Sequence, residues 1–397
     1  MKLLIVGDLD STGFGSVTMD LGRALLAQDI DVRFVAETKM ELPEPFLSRT
    51  ALLLAGWLAV NDEGREHFSR LFSGGAFPDG WVPDCGLLIG DPGSLMGNPI
   101  LSVVPEGFPI WHYAPIEGIG LPPAWGSIWS VAKPIAMCQF GADELERASG
   151  YKPPFVYHGV DTDTFREVSG LRPLVLDHKV LRTKAECRAV FGRDPNRTVL
   201  LRTDRYMPRK GYPSMFRAVM PVLEAHPEVD LVLHCKTRDI GGDIRVELSK
   251  YGALASRVLL TGVGGKLPRE GLVALYNAAD VYLSSGPEGF GLTIAEALAC
   301  GLPAVGLDFT AVPEVIGPGG TLVPIGSLVD SIYSYFWAIP DETKYTEAVE
   351  YLVTHKHKRE QLGALGAMHV RSKFSWATAA AQFVTIMAGA QSQEDAA

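Results

Sequence analysis

The segment PEGFGLTIAEALACGLP, residues 287–303, runs from a glycine-containing turn into an apolar helix and carries two carboxylates. Glu288 stands in the turn and Glu296 follows eight residues later, about two helical turns along. Both can therefore face one cleft at different depths and accept hydrogen bonds from sugar or ribose hydroxyls. Gly289, Phe290, Gly291 and Leu292 lie between them. Backbone amides at such a turn and helix start point outward with positive partial charge, which suits a phosphate. The neighbours of Glu296 over residues 295–298 are otherwise apolar. A carboxylate in that setting is costly to bury unless partners receive it.

The N-terminal half offers a looser set. Gly13-Phe14-Gly15 follows a short apolar strand and precedes a helical pattern over residues 17–27. Such a turn either brings amides to a phosphate or simply joins strand to helix. It is a lone G-x-G rather than G-x-G-x-x-G, so no nicotinamide cofactor is indicated. WHYAPIEGIGLPPAW, residues 111–125, ends a strand in a proline-rich loop. His112 is there either as a reacting group or as a satisfied core histidine, and Glu117, past the carboxyl edge of the strand, is an equal candidate. Trp125 and Trp129 could stack on a sugar or base, or pack internally. Asp91 is one more carboxylate at a strand end. HExxH, Walker A and G-x-S-x-G patterns are absent, and no metal-ligand cluster is spaced in the sequence, so no metal is expected.

The 287–303 segment resembles the E-x7-E signature of retaining GT-B glycosyltransferases of the family 4 type. Other pieces fall in that family's order. HGVDTDTF (158–165) resembles the segment joining its two domains. DRYMPRKG (204–211) resembles its Gly-Arg-x4-Lys-Gly element, with Asp204 where glycine is usual. ALYNAADVYLSSGPEGFG resembles the approach to the first glutamate, FTAVPEVIGPGGTLV the segment beyond the signature, and FSWATAAAQF the closing helix. The likeness covers roughly residues 130–390 and is looser before them. It implies that Glu296 binds the ribose, that Glu288 holds the transferred sugar, and that Arg205 and Lys210 neutralise the pyrophosphate. It also implies that the Gly13–Gly15 amides approach the donor phosphates, and that backbone around Val263 and Gly264 selects the base and sugar. His112 would take the place of a histidine near the reacting sugar. The implied reaction moves a sugar, with retention, from a UDP- or GDP-sugar to an acceptor hydroxyl on a glycan, lipid, small molecule or modified DNA base. No cofactor and no catalytic metal are implied. A nucleotide-sugar epimerase of the same architecture and a non-catalytic nucleotide-sugar-binding protein stay open.

These residues need a scaffold, and the apolar runs supply one. KLLIVG (2–7), VRFVA (32–36), CGLLIG (85–90), PIWHYA (109–114) and PIAMC (134–138) read as strands buried on both faces. A second series follows at 198–203, 229–235, 257–262, 280–285, 303–307 and 321–325, with amphipathic stretches between, such as 213–223 and 270–279. The expected fold is α/β, two Rossmann-like doubly wound parallel-sheet domains facing a cleft. Residues 1–165 would form an acceptor-side domain, 166–370 a donor domain, and 371–397 a helix crossing back with a frayed QSQEDAA end.

Bulk properties narrow the classes. Residues 1–165 hold 10 Lys+Arg against 21 Asp+Glu, while the remainder holds 26 against 25. The acidic half disfavours anionic membrane docking and phosphate-rich partners. Within the neutral half, residues 166–210 hold 12 Lys+Arg against 5 Asp+Glu, a stretch that could track a nucleic-acid backbone. The apolar run 51–60 is half of the roughly 20 residues a membrane span needs, so no transmembrane segment is expected. The first apolar run is too short for a signal peptide and reads as a strand. Five scattered cysteines without a CxxC pair suggest neither a disulfide framework nor a zinc site, and fit a reducing cytoplasm.

Overall fold

The computed structural model describes residues 1–397 apart from 10–12, 37–41, 43, 53–61, 97, 99, 263–264, 266 and 395–397. Contacts divide the chain into two units. One comprises Met1–Ile116, Gly120–Gly159 and Ser375–Ala397; the other comprises Glu117–Ile119 and Val160–Phe374. The division therefore falls at 159/160 and 374/375 rather than at the expected 165/166 and 370/371, and a three-residue piece carrying Glu117 joins the second unit.

In the first unit, β1 (Lys2–Val6), β2 (Asp31–Ala36), β3 (Thr50–Leu52), β4 (Cys85–Ile89), β5 (Ile110–Ala114) and β6 (Lys133–Ala136) form one sheet in the order β3-β2-β1-β4-β5-β6. Every pairing is parallel. The runs of Leu, Ile and Val in β1 and β4 are there because helices cover both faces of a parallel sheet. Leu3, Ile5, Leu87 and Leu88 are fully buried. The helix Gly13–Leu26 turns Val17, Leu21 and Leu25 inward. It starts at Gly13, so Gly13-Phe14-Gly15 is its first turn rather than a loop ahead of it.

The last helix, Trp376–Glu394, belongs to this unit. Gln28 Nε2 donates to the Ala377 carbonyl at 2.9 Å, and buried Phe383 meets the Tyr113 ring edge-on at 4.9 Å. Helix continues to Glu394 through most of the tail expected to fray, and residues 395–397 lie outside the described residues.

The second unit opens with an antiparallel hairpin, β7 (Leu174–Leu176) and β8 (Lys179–Leu181). Its sheet contains β9 (Thr198–Arg202), β10 (Val229–Leu233), β13 (Val258–Leu260), β14 (Val281–Ser284), β15 (Ala304–Leu307) and β16 (Gly320–Val323). A short ladder, β11 (Arg238–Asp239) with β12 (Gly242–Asp243), follows β10. A second hairpin, β17 (Ile325–Asp330) and β18 (Phe336–Pro340), follows β16. The order β13-β10-β9-β14-β15-β16 is all parallel. Counted within its own unit, each sheet runs third, second, first, fourth, fifth, sixth. The direction of winding therefore reverses between β1 and β4, and again between β9 and β14. Loops leaving the carboxyl ends of the two central strands diverge there and leave a crevice.

Among the described residues, no helix is long and apolar enough to cross a membrane. All five cysteines are free and buried.

The Phe383 contact gives a direct test of the C-terminal return. Phe383→Ala removes a fully buried ring and should lower the unfolding free energy of the first unit by about 3–5 kcal/mol in a urea titration. A loss below about 1 kcal/mol would show that the helix does not support this core.

Candidate functional site

Arg202 is the last residue of β9 and has no solvent exposure. Its guanidinium donates to Ser285 Oγ at 2.5 Å, to the Lys210 carbonyl, and to Asp204 Oδ2 at 3.3 Å, and lies 4.1 Å from the centre of the Tyr212 ring. Ser285 follows β14, so one side chain binds together the loops on either side of the reversal point. Ser285 Oγ in turn donates toward the carbonyls of Lys210 and Gly211, each at 3.0 Å. The two loops touch backbone to backbone. A Cβ on Gly286 would lie 2.2 Å from the Arg209 carbonyl oxygen, so only glycine fits there.

That junction sets the charged groups. Lys210 Nζ lies 2.5 Å from Glu288 Oε1 and 3.1 Å from Asp204 Oδ1. Glu288 is buried, and its backbone N–H donates to Thr310 Oγ1 at 2.9 Å. Arg209 Nε is 2.9 Å from Glu117 Oε2, while its Nη1 donates to the Pro287 carbonyl at 2.7 Å and reaches Glu288 Oε2 at 3.4 Å. Three buried acids, Glu117, Asp204 and Glu288, thus face the buried cations Arg202 and Lys210 and the partly buried Arg209. Burial alone would lower the pKa of Arg209, but the Glu117 and Glu288 carboxylates outweigh it and hold the guanidinium charged. Burial likewise pushes the Asp204 carboxyl up, and Lys210 and Arg202 overcome it, leaving a net downward shift.

Glu296 lies on the helix Leu292–Ala299, which starts after Gly291. Tyr276 donates its hydroxyl to Glu296 Oε2 at 2.8 Å. Thr203 Oγ1 is 3.0 Å from the Tyr276 hydroxyl and 3.2 Å from that of Tyr282. Burial first, and the Glu296 charge second, push the Tyr276 hydroxyl well above its ordinary pKa, so it stays a donor. A chain of hydroxyls therefore receives the half-buried carboxylate that the sequence pattern required to be partnered.

The structure brings Lys210, Glu288 and Glu117 together and pairs Arg205 with another residue. Arg205 is half exposed and forms a two-point pair with Asp239 on β11, at 2.7 and 3.0 Å. Arg209, which the sequence reading did not single out, occupies the cluster. Gly289, Phe290, Gly291 and Leu292 lie at the turn and helix start, with the Phe290 ring packed edge-on against Phe374 at 5.1 Å. Val263 and Gly264 lie outside the described residues.

His112 departs from the catalytic reading. It is fully buried in β5, its Nε2 sits 2.9 Å from the Gly90 carbonyl, and Trp129 Nε1 donates to its Nδ1 at 3.3 Å. A carbonyl only accepts and an indole N–H only donates, so the ring is the neutral Nε2–H tautomer with both nitrogens engaged. Burial depresses its pKa to about 4. Trp129 thereby serves the core, as does buried Trp125. Asp91 caps the short helix Pro92–Leu95 by accepting from the Gly93 N–H at 2.7 Å. One signal for the cluster stood in the sequence unused, since Arg202 ends the apolar run TVLLR. Arg209 and Tyr276 carried no comparable mark.

Comparison with known proteins adds to this geometry. Residues 197–336 match the family model described as Glycosyl transferases group 1. The chain is 26% identical over 254 residues to the GDP-mannose-dependent monoacylated alpha-(1-6)-phosphatidylinositol monomannoside mannosyltransferase of Corynebacterium glutamicum, covering 60% of this chain and 57% of that protein. It is 30% identical over 215 residues to the D-inositol 3-phosphate glycosyltransferase of Corynebacterium diphtheriae, covering 52% and 45%. The chain thus spans about half the length of these relatives. In fold it is similar to sucrose-phosphate synthase from Thermosynechococcus elongatus, with a TM-score of 0.74, 19% identity, and 99% and 100% of the two chains covered. It is also similar to the Anabaena HepE protein in complex with UDP and glucose, with a TM-score of 0.72, 14% identity, and 98% and 100% covered. The fold is GT-B.

The buried histidines of the first unit predict an acid-sensitive stability. Burial lowers His112 to about 4 and His158 to about 3, from 6.5. Above 6.5 both rings are neutral whether folded or not. As pH falls through that value the unfolded chain takes up protons that the folded one refuses. Between pH 6.5 and 5 the first unit should lose about 3 kcal/mol of unfolding free energy, and His112→Gln should remove about half of that dependence. Stability that stays flat over this window would contradict the buried neutral assignment.

Proposed function

We propose that this chain, whose residues 197–336 match the Glycosyl transferases group 1 family model, moves a sugar from a UDP- or GDP-sugar to an acceptor hydroxyl with retention of configuration. The observation that carries the reading is the Lys210–Glu288 pair at the reversal point of the second sheet, with Glu296 further along the helix that follows. Glu296 would accept from the ribose hydroxyls and Glu288 from hydroxyls of the transferred sugar. Lys210 and the amides of residues 289–292 would face the diphosphate. The leaving nucleoside diphosphate gains charge as the glycosidic bond breaks, and fixed cations and amides stabilise that charge as it develops. The reading assigns that work to these groups rather than to a metal or cofactor. In the retaining reaction the donor phosphate oxygen takes the acceptor's proton on the face from which the diphosphate leaves, so no protein nucleophile is required. Arg205 would serve the diphosphate only by leaving Asp239.

The C. glutamicum relative is named as GDP-mannose-dependent, and the HepE structure holds UDP and glucose. The acceptors named there are inositol-based, which favours a polyol or carbohydrate hydroxyl. The basic stretch 166–210 speaks for the same choice over nucleic acid. Lys184 and Arg188 pair with Asp280, Arg193 and Arg197 pair with Asp230, and Arg202 and Lys210 lie inside the buried cluster. Charges spent within the fold contribute little to a phosphate-tracking face.

The test is binding followed by turnover. UDP or GDP should raise the melting temperature, and Glu296→Ala should weaken that nucleotide by about tenfold or more, as expected for lost hydrogen bonds to a charged group. Lys210→Met should lower kcat for donor turnover by about 100- to 1000-fold. Unchanged nucleotide binding in Glu296→Ala, or no binding of either nucleotide to the wild type, would overturn the assignment.

A further inference from the structure

Glu288 is gripped by two neighbouring cations of the 204–211 segment, and the second of them is itself held by a carboxylate from elsewhere in the chain. Lys210 holds Oε1 at 2.5 Å, while Arg209 reaches Oε2 at 3.4 Å and also holds the adjoining Pro287 carbonyl at 2.7 Å. Arg209 is oriented by Glu117, whose Oε2 lies 2.9 Å from its Nε. Glu117 is brought to that place by the segment Glu117–Ile119, which the contacts assign to the second unit. Ile119 N–H donates to the Phe336 carbonyl at 3.1 Å, and Phe336 N–H returns a bond to the Ile119 carbonyl at 2.8 Å, an antiparallel bridge on β18. Between them Gly118 lies flat on the strand. A Cβ there would be 2.2 Å from the Phe336 carbonyl oxygen and 2.6 Å from the Tyr335 ring, so the close approach requires glycine.

We propose that Glu117 is a positioning residue, held on the β17–β18 hairpin, that orients Arg209 and through it fixes the Glu288 carboxylate for the transferred sugar. The inference rests on the reading of Glu288 as the sugar-holding group. Its physical basis is that a carboxylate has about four acceptor sites, of which Lys210 and Arg209 take one each. Two fixed cations stop the carboxylate from rotating and leave its remaining lone pairs pointing in set directions. Glu117 also shares the charge of Arg209, so that Glu288 is not neutralised twice over and keeps its capacity to accept from hydroxyls. Glu117 acts through Arg209 on Glu288, so its effect should fall on the sugar and spare the nucleoside.

The test uses the full chain and calorimetric titration with UDP, UDP-glucose, GDP and GDP-mannose. The wild type should bind one sugar nucleotide more tightly than the corresponding diphosphate. Glu117→Gln should weaken that sugar nucleotide by about tenfold, the loss expected for a displaced hydrogen bond to a charged group, while the diphosphate changes by less than about twofold. Gly118→Ala should give the same split, by lifting the segment from β18. Unchanged sugar-nucleotide affinity in Glu117→Gln, or a loss shared by the diphosphate, would overturn the positioning role. A wild type that binds neither form, or gains nothing from the sugar, would instead contradict the donor-site reading on which this inference rests.

Discussion

The Arg202 guanidinium, sealed from solvent at the end of β9, is the constraint on which the second domain's chemistry depends. A buried charge of this kind is expensive to desolvate and persists only where good geometry and a full set of acceptors repay the cost. Here the acceptors are Ser285 Oγ, the Lys210 carbonyl and Asp204, which lie on both loops flanking the sheet's reversal point. Satisfying one guanidinium therefore fixes the separation of those loops. With it are fixed Lys210 on one side and Glu288 on the other. Charge balance follows the same logic, since three acids against three cations, all but Arg209 of them buried, leave no member without an opposite partner.

This arrangement separates two tasks that the sequence pattern presents as one. Glu288 sits among ions and is oriented by two neighbouring cations, Arg209 and Lys210, of the loop after β9. Glu296, one helix further on, is oriented by neutral hydroxyls relayed from Thr203 and Tyr276. Two acids eight residues apart thus have different electrostatic settings. The difference suits a donor whose two halves, nucleoside and sugar, present hydroxyls in different surroundings.

Much of the fold was legible because a parallel sheet buried on both faces demands unbroken apolar runs. The runs at 2–7, 85–90, 198–203 and 280–285 became β1, β4, β9 and β14. The hairpin β17–β18 was not legible, since β17 is largely exposed and shows neither an apolar run nor clean alternation. β3 was hidden because its three residues, Thr50–Leu52, make too short a signal at the start of the apolar run 51–60. In the site, Lys210, Glu288 and Glu296 stood out through their spacing. The Glu117–Arg209 pair did not, because its members are far apart in sequence and only a β-bridge to Phe336 joins them. His112 admitted two readings for a physical reason. A histidine on a buried strand offers the same letters whether it faces substrate or, as here, has both nitrogens spent on Gly90 and Trp129.

The account's central claim is that the Glu288–Lys210 pair and Glu296 together receive one nucleotide sugar. The most direct measurement is a crystal structure of the chain with UDP-glucose or GDP-mannose bound. The account predicts ribose hydroxyls on the Glu296 carboxylate, sugar hydroxyls on Glu288, and the diphosphate against Lys210 and the amides of residues 289–292. A ligand bound with both glutamates out of contact, or lying at another edge of the sheet, would contradict it.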